Sequence, residues 1–200
     1  MAPITADQVK QLRDKTGAGM MECKAALSEA NGNMDEAVTL LRKRGLAQAA
    51  KRAGRATAQG LVGSYIHMGG KIGVLVEVNC ESDFVARTDD FLNLVKELAM
   101  HVAAADPKWV RREDVSPDAI EKERSIYRAQ MEGSGKPANV VDKIIEGKLG
   151  SFYSQFVLLD QPFVRDPNVT VSQLVAGTSA KTGENITVSR FVRYRVGDGE

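Results

Sequence analysis

Over the first fifty residues, apolar positions recur at helical spacing. Thr5-Ala6-Asp7-Gln8 is a capping-box pattern and predicts a helix with Val9 and Leu12 turned inward. Thr16-Gly17-Ala18-Gly19 breaks it. Cys23, Leu27 and Ala30 share one face of a second helix over Met20–Ala30. Asn31-Gly32-Asn33 predicts a turn, with Asn33 capping a third helix that has Ala37, Val38 and Leu41 inward and Gly45 at its end. A further short helix is expected over Leu46–Ala53, and a linker from Gly54. The first part of the chain is thus a small three-helix bundle, only marginally stable by size.

The period then changes. Leu61–Met68 alternates and Lys71–Cys80 is rich in β-branched residues, with Gly69-Gly70 between them as a two-residue hairpin turn. Phe91, Val95, Leu98 and Val102 form the stripe of a long helix over Thr88–Ala104, closed by Pro107. Ser116-Pro117 is an N-cap followed by proline at the first helical position, starting a helix to Met131. Gly133-Ser134-Gly135 predicts a loop, Pro137 a helix ending near Gly147, and Ser151–Leu158 another. Thr170-Val171-Ser172-Gln173 repeats the capping-box pattern for a helix ending at Gly183, and Ile186–Val196 predicts a last strand. The expected class is α+β: a helical bundle in residues 1–54, then a core in residues 55–200 with a three-stranded antiparallel sheet packed with helices.

Charge sharpens this division. The 27 Lys and Arg nearly cancel the 26 Asp and Glu. Residues 1–60 nevertheless carry net +4 and residues 61–105 net −3. The surplus gathers in Arg42, Lys43, Arg44, Lys51, Arg52 and Arg55. It reads either as a patch for RNA or an acidic surface, or as a solvated helix end; no aromatics interleave to stack on bases. No apolar run approaches the ~18–20 residues that a bilayer span takes, and Met1-Ala2-Pro3-Ile4-Thr5 lacks the regions of a secretory signal. A cytoplasmic protein with reduced, separate thiols at Cys23 and Cys80 is expected. Two Cys and two His leave little for metal or acid–base chemistry. No phosphate loop, H-E-x-x-H or G-x-S-x-G motif is present. Composition therefore points away from an enzyme and towards a protein that works by contact, with no cofactor.

Two segments are candidate contact devices. Met20-Met21 opens a helix, where neighbours diverge by ~100°, so one methionine can pack inward while the other offers an adaptable apolar contact; the other reading puts both in the core. Glu81-Ser82-Asp83-Phe84-Val85-Ala86-Arg87 joins a strand to a long helix, and Ser82 or Asp83 is placed to cap a helical turn. Phe84 is either an aromatic anchor for a partner's pocket or a residue packed under the sheet edge.

The residues from Leu12 to Leu27, with Thr16-Gly17-Ala18-Gly19-Met20-Met21 at their centre, resemble the N-terminal signature of the bacterial elongation factor Ts family. Glu77-Val78-Asn79-Cys80 and the following Glu81–Arg87 segment resemble its second signature, in the same order and at the same separation. The resemblance continues through Gly63-Ser64-Tyr65-Ile66-His67, Ile72–Val76, Gly183-Glu184-Asn185-Ile186 and Arg190-Phe191, so it spans the chain, in the length of the family's short, single-core form. It implies that the bundle has the ubiquitin-associated-type fold and docks on elongation factor Tu. Met20 and Met21 would be contact methionines, Asp83 and Phe84 the pair wedged beside Tu's nucleotide site, and Leu12, Ser82 and Val85 further members of the partner-binding set.

The implied activity is guanine-nucleotide exchange: binding Tu·GDP and promoting GDP release. The factor itself would bind no nucleotide, specific nucleic acid or membrane. The short form implies a homodimer, in which His67 is either presented to Tu by the second subunit or is an exposed strand-end histidine. Ser82 departs from the family's usual threonine but keeps the hydroxyl, and the last strand has no cysteine. A ubiquitin-associated-type adaptor without exchange activity is the alternative; the Asp83-Phe84 loop, which an adaptor would not need, discriminates the two.

Overall fold

The computed structural model describes residues 4–133 and 135–198. Residues 1–3, from the segment read as lacking a signal, and Ser134 of the expected glycine loop lie outside the described residues. The elements are α1 (Ala6–Thr16), α2 (Met20–Glu29), α3 (Met34–Arg52), β1 (Gln59–Ile66), β2 (Ile72–Cys80), α4 (Asp83–Ala86), α5 (Asp89–Ala105), α6 (Pro117–Met131), α7 (Ala138–Phe156), β3 (Pro162–Phe163), β4 (Asp166–Thr170), α8 (Val171–Thr182) and β5 (Ile186–Arg195). The class is α+β, with a three-stranded antiparallel sheet in the order β1-β2-β5 and a small β3-β4 ribbon.

Local chemistry explains the helix starts. At α1 the capping box is complete: Gln8 N–H donates to Thr5 Oγ1 at 3.2 Å and Thr5 N–H donates to Gln8 Oε1 at 3.0 Å. Asn33 Oδ1 accepts from Asp35 N–H and Glu36 N–H, and Ser116 Oγ accepts from Ala119 N–H ahead of Pro117. Gly17 closes α1 at φ 69°, a left-handed conformation that glycine adopts without strain.

The chain forms two compact units. The first gathers the chain up to Gly63, Glu77–Glu97 and Gln173–Ser189. Within it Val9, Leu12, Cys23, Ala26, Leu27, Ala30, Ala37 and Leu41 form the core of the three-helix bundle. Val78, Cys80, Val85, Phe91, Leu94, Ile186 and Val188 are also buried in this unit. The second gathers Ser64–Val76, Leu98–Ser172 and the chain from Arg190. There α6 packs on α7, and Val115, Phe152 and Val157 form a core flanked by Trp109, Tyr153 and Phe156.

Three expected breaks differ from the structure. Gly45 does not end the third helix: α3 runs unbroken to Arg52. A Cβ at Gly45 would lie 3.5 Å from Ala180 Cβ, so this glycine sits at a close approach to α8 within a helix that continues. Similarly, α7 passes through Gly147 and Gly150, because the buried stripe Ile145, Leu149, Phe152 runs across them and outweighs the ~1 kcal/mol that glycine costs a helix. The hairpin loop is longer than two residues. Its strands close where His67 N–H donates to Ile72 C=O at 2.9 Å, and Gly70 N–H donates to His67 C=O at 2.9 Å. Gly69 and Gly70 both take positive φ, 87° and 70°, as this turn requires. The β3-β4 ribbon has no counterpart among the expected elements, because Pro162 and Pro167 mask its strand pattern.

Candidate partner-binding site

The 81–88 segment leaves β2 and turns at once into α4, a single helical turn. Ser82 is its N-cap: Ser82 Oγ accepts from Val85 N–H at 3.3 Å. Val85 and Ala86 are buried, which anchors the inner side of the turn. Phe84 lies on its outer side and is 77 % exposed. The reading in which it packs under the sheet edge is therefore set aside. Asp83, also on the outside, accepts from Arg87 Nη2 at 2.9 Å, one turn away. Both partners are largely in solvent, so the pair organises the surface more than it stabilises the fold.

Beneath this turn two carboxylates reach across the unit. Glu184 Oε2 accepts from Glu81 N–H at 3.1 Å and Ser82 N–H at 3.0 Å, while Glu184 Oε1 accepts from Ser82 Oγ–H at 2.6 Å. In return Glu81 Oε1 accepts from Asn185 N–H at 2.6 Å and pairs with Arg55 Nη1 at 3.4 Å. Asn185 Nδ2 donates to the carbonyls of Arg55 at 2.9 Å and Ala53 at 3.4 Å. Cys80 Sγ–H donates to Ser82 C=O at 3.1 Å. Its thiol is held above the ordinary range first by burial, then by the Glu184 charge. Cys23 is raised chiefly by burial as well. Both thiols are therefore protonated and inert at neutral pH.

At the other candidate segment both methionines are outside: Met20 is 46 % and Met21 77 % exposed. The core of α2 begins at Cys23, so Met20, at the first helical position, lies beyond its end. Glu22 covers the start of the helix, accepting from Gly19 N–H at 3.4 Å. Leu12, which the resemblance places in the contact set, is fully buried, and Val85 nearly so. Neither presents the surface expected of a contact residue. His67 is exposed and its Nδ1 lies 3.1 Å from Tyr65 Oη. It belongs to the second unit, whereas Leu12, Met20, Met21, Ser82, Asp83, Phe84 and Val85 all belong to the first.

Much of the basic patch is committed within the fold. Arg44 pairs with Glu29, Arg55 with Glu81, and Arg52 donates to Ser179 C=O at 3.2 Å. Sequence reasoning did not find Glu184 or Glu81 as site residues. Glu184 lies in the Gly183–Ile186 segment that carried part of the resemblance, but nothing in the sequence pairs it with Ser82, 102 residues earlier.

These features define an α+β protein that displays an aromatic on a capped, carboxylate-held turn and two methionines at a helix start. The family described as elongation factor TS matches residues 4–198. The elongation factor Ts of Solibacter usitatus is 60 % identical over 200 residues, covering all of this chain and 94 % of that protein. The elongation factor Ts of Fervidobacterium nodosum is 60 % identical over 98 % of this chain and 99 % of its own length, and that of Koribacter versatilis 59 % identical over 98 % and 89 %. The chain belongs to the elongation factor Ts family, whose members are factors of translation elongation in protein biosynthesis.

Proposed function

We propose that this protein is a guanine-nucleotide exchange factor for elongation factor Tu. It binds Tu·GDP, lowers the affinity for GDP and releases the nucleotide without itself transferring a group or a proton. One observation carries this reading: Phe84 stands in solvent on a turn that is fixed at its base. A large apolar side chain held out on a rigid support is suited to entering a partner's pocket. Asp83 enters beside it, and Met20 and Met21 supply a second, softer contact from the bundle of residues 1–54, of the ubiquitin-associated type. Residues 55–200 are the core that carries the wedge.

The energetics need no catalytic residue. A factor that binds nucleotide-free Tu more tightly than Tu·GDP weakens GDP binding by the same factor, because the two equilibria are linked. The protein acts in the cytoplasm as a homodimer. Ile66, Met68, Tyr194 and Val196, all exposed in the second unit, offer apolar surface that supports self-association.

The test is release of fluorescently labelled GDP from Tu with catalytic amounts of the protein. Wild type should accelerate release, and Phe84→Ala should slow it at least about tenfold while remaining folded, the scale of loss at an interface anchor. Unchanged exchange by folded Phe84→Ala would remove Phe84 from the mechanism.

A further inference from the structure

We infer that Glu184 is a positioning residue for the wedge: its carboxylate, clasping two successive amides and the capping hydroxyl at the base of α4, sets the direction in which Asp83 and Phe84 are presented. The inference rests on the proposed exchange function and adds to it a residue that need not touch the partner.

The four residues of α4 make one turn, and a single turn is not stable by itself in water. Phe84 is mostly in solvent, so its direction is inherited from the backbone of that turn. The turn is in turn held from below. Val85 and Ala86 are buried on its inner side, and its leading edge hangs on Glu184. The three bonds to Glu184 involve an ionised acceptor and are stronger than neutral ones. They also share one rigid group, so the peptide planes of Glu81 and Ser82 are fixed together. Ser82 Oγ–H donates to Glu184, which turns the hydroxyl's lone pairs towards Val85 N–H. The cap is thereby aimed as well as present.

Glu184 is itself fixed. Ser179 Oγ–H donates to Glu184 C=O at 2.5 Å, and Gly183 N–H donates to Ser179 C=O at 3.0 Å, so the residue leaves the end of α8 in a set direction. The reciprocal bond from Asn185 N–H to Glu81 prevents the two strands of this clasp from sliding past one another. A site whose geometry depends on a supporting shell loses function when the shell is loosened, even with every contact residue present.

The experiment compares wild type, Glu184→Gln and Glu184→Ala. GDP release from Tu is followed over a concentration series, with amide hydrogen exchange of each free protein. In Glu184→Ala the maximal release rate should fall about tenfold, while the half-saturating concentration moves less than about threefold, because the methionines on α2 are untouched. Glu184→Gln, which keeps one acceptor oxygen, should fall between. The amides of Glu81, Ser82 and Val85 should exchange faster, with Ala37 in the bundle unchanged. If Glu184→Ala does not fold, Glu184→Gln carries the same comparison. A maximal rate equal to wild type in a folded Glu184 variant overturns the inference. So does a lost rate with loop amides as protected as before. If wild type fails to release GDP, the proposed function falls instead, and the loop amides still decide whether Glu184 holds the turn.

Discussion

A phenylalanine left in water forgoes about 2–3 kcal/mol that burial would give it. Phe84 is in that position, and its cap shows how the cost is localised. Ser82→Ala removes both the bond to Val85 N–H and the one to Glu184. It should lower stability by about 1–2 kcal/mol, measured by urea unfolding. Ser82→Thr keeps the hydroxyl, so exchange should stay within about twofold of wild type; a larger loss would mean that the added methyl disturbs the turn.

The fully buried His101 makes a different residue-scale prediction. Its Nδ1 accepts from Val164 N–H at 3.3 Å, so Nε2 carries the proton and donates to Gln161 Oε1 at 2.9 Å. Burial lowers its pKa, against the Gln161 bond, which raises it. The folded state therefore takes up the second ring proton less readily than the unfolded chain does. Stability is unaffected well above the unfolded value near 6.5 and falls as pH drops through it, until the folded value is passed. Melting temperature should decline below about pH 6.5, and the acid slope should be shallower in His101→Gln.

At the scale of elements, glycine was the misleading signal. Thr5, Asn33 and Ser116 announce their helices because a cap is bonded within three residues of itself. Gly45 and Gly147 look like ends, yet each sits inside a helix whose partners lie elsewhere in the chain. Open space surrounds the place where a Cβ would stand at Gly147. Gly147→Ala should therefore raise stability by about 0.5–1 kcal/mol, read from the shift in urea midpoint. No gain would mean that the backbone there is strained.

The same contrast of local and distant information runs through the site. That the 81–87 segment is a capped turn between strand and helix was legible, because Ser82 and the apolar run before it are neighbours. The exposure of both methionines was not, since it depends on where the core of α2 begins. The carboxylate clasp was not legible either, because its halves stand a hundred residues apart and neither has an unusual composition around it.

For the whole molecule, self-association is the property that mass measures directly. Sedimentation at micromolar concentration should give twice the 21.7 kDa of one chain. Tyr194→Asp, which places a charge among exposed apolar strand residues, should reduce it to one. A monomeric wild type would contradict the proposed assembly.

The first unit is assembled from three separated stretches of chain, and this gives the clasp a consequence in time. A ribosome that has made residues 1–100 has already produced both methionines, Asp83 and Phe84. The latch, Glu184 with Asn185, is made only some hundred residues after the turn it holds. A truncated product would thus own the whole contact surface with nothing to aim it, and would compete poorly with finished copies for their common target. Ribosome-arrested chains of increasing length, cut with trypsin at Arg87, should gain protection there only when Asn185 has emerged. Early protection would show that the turn sets without its latch.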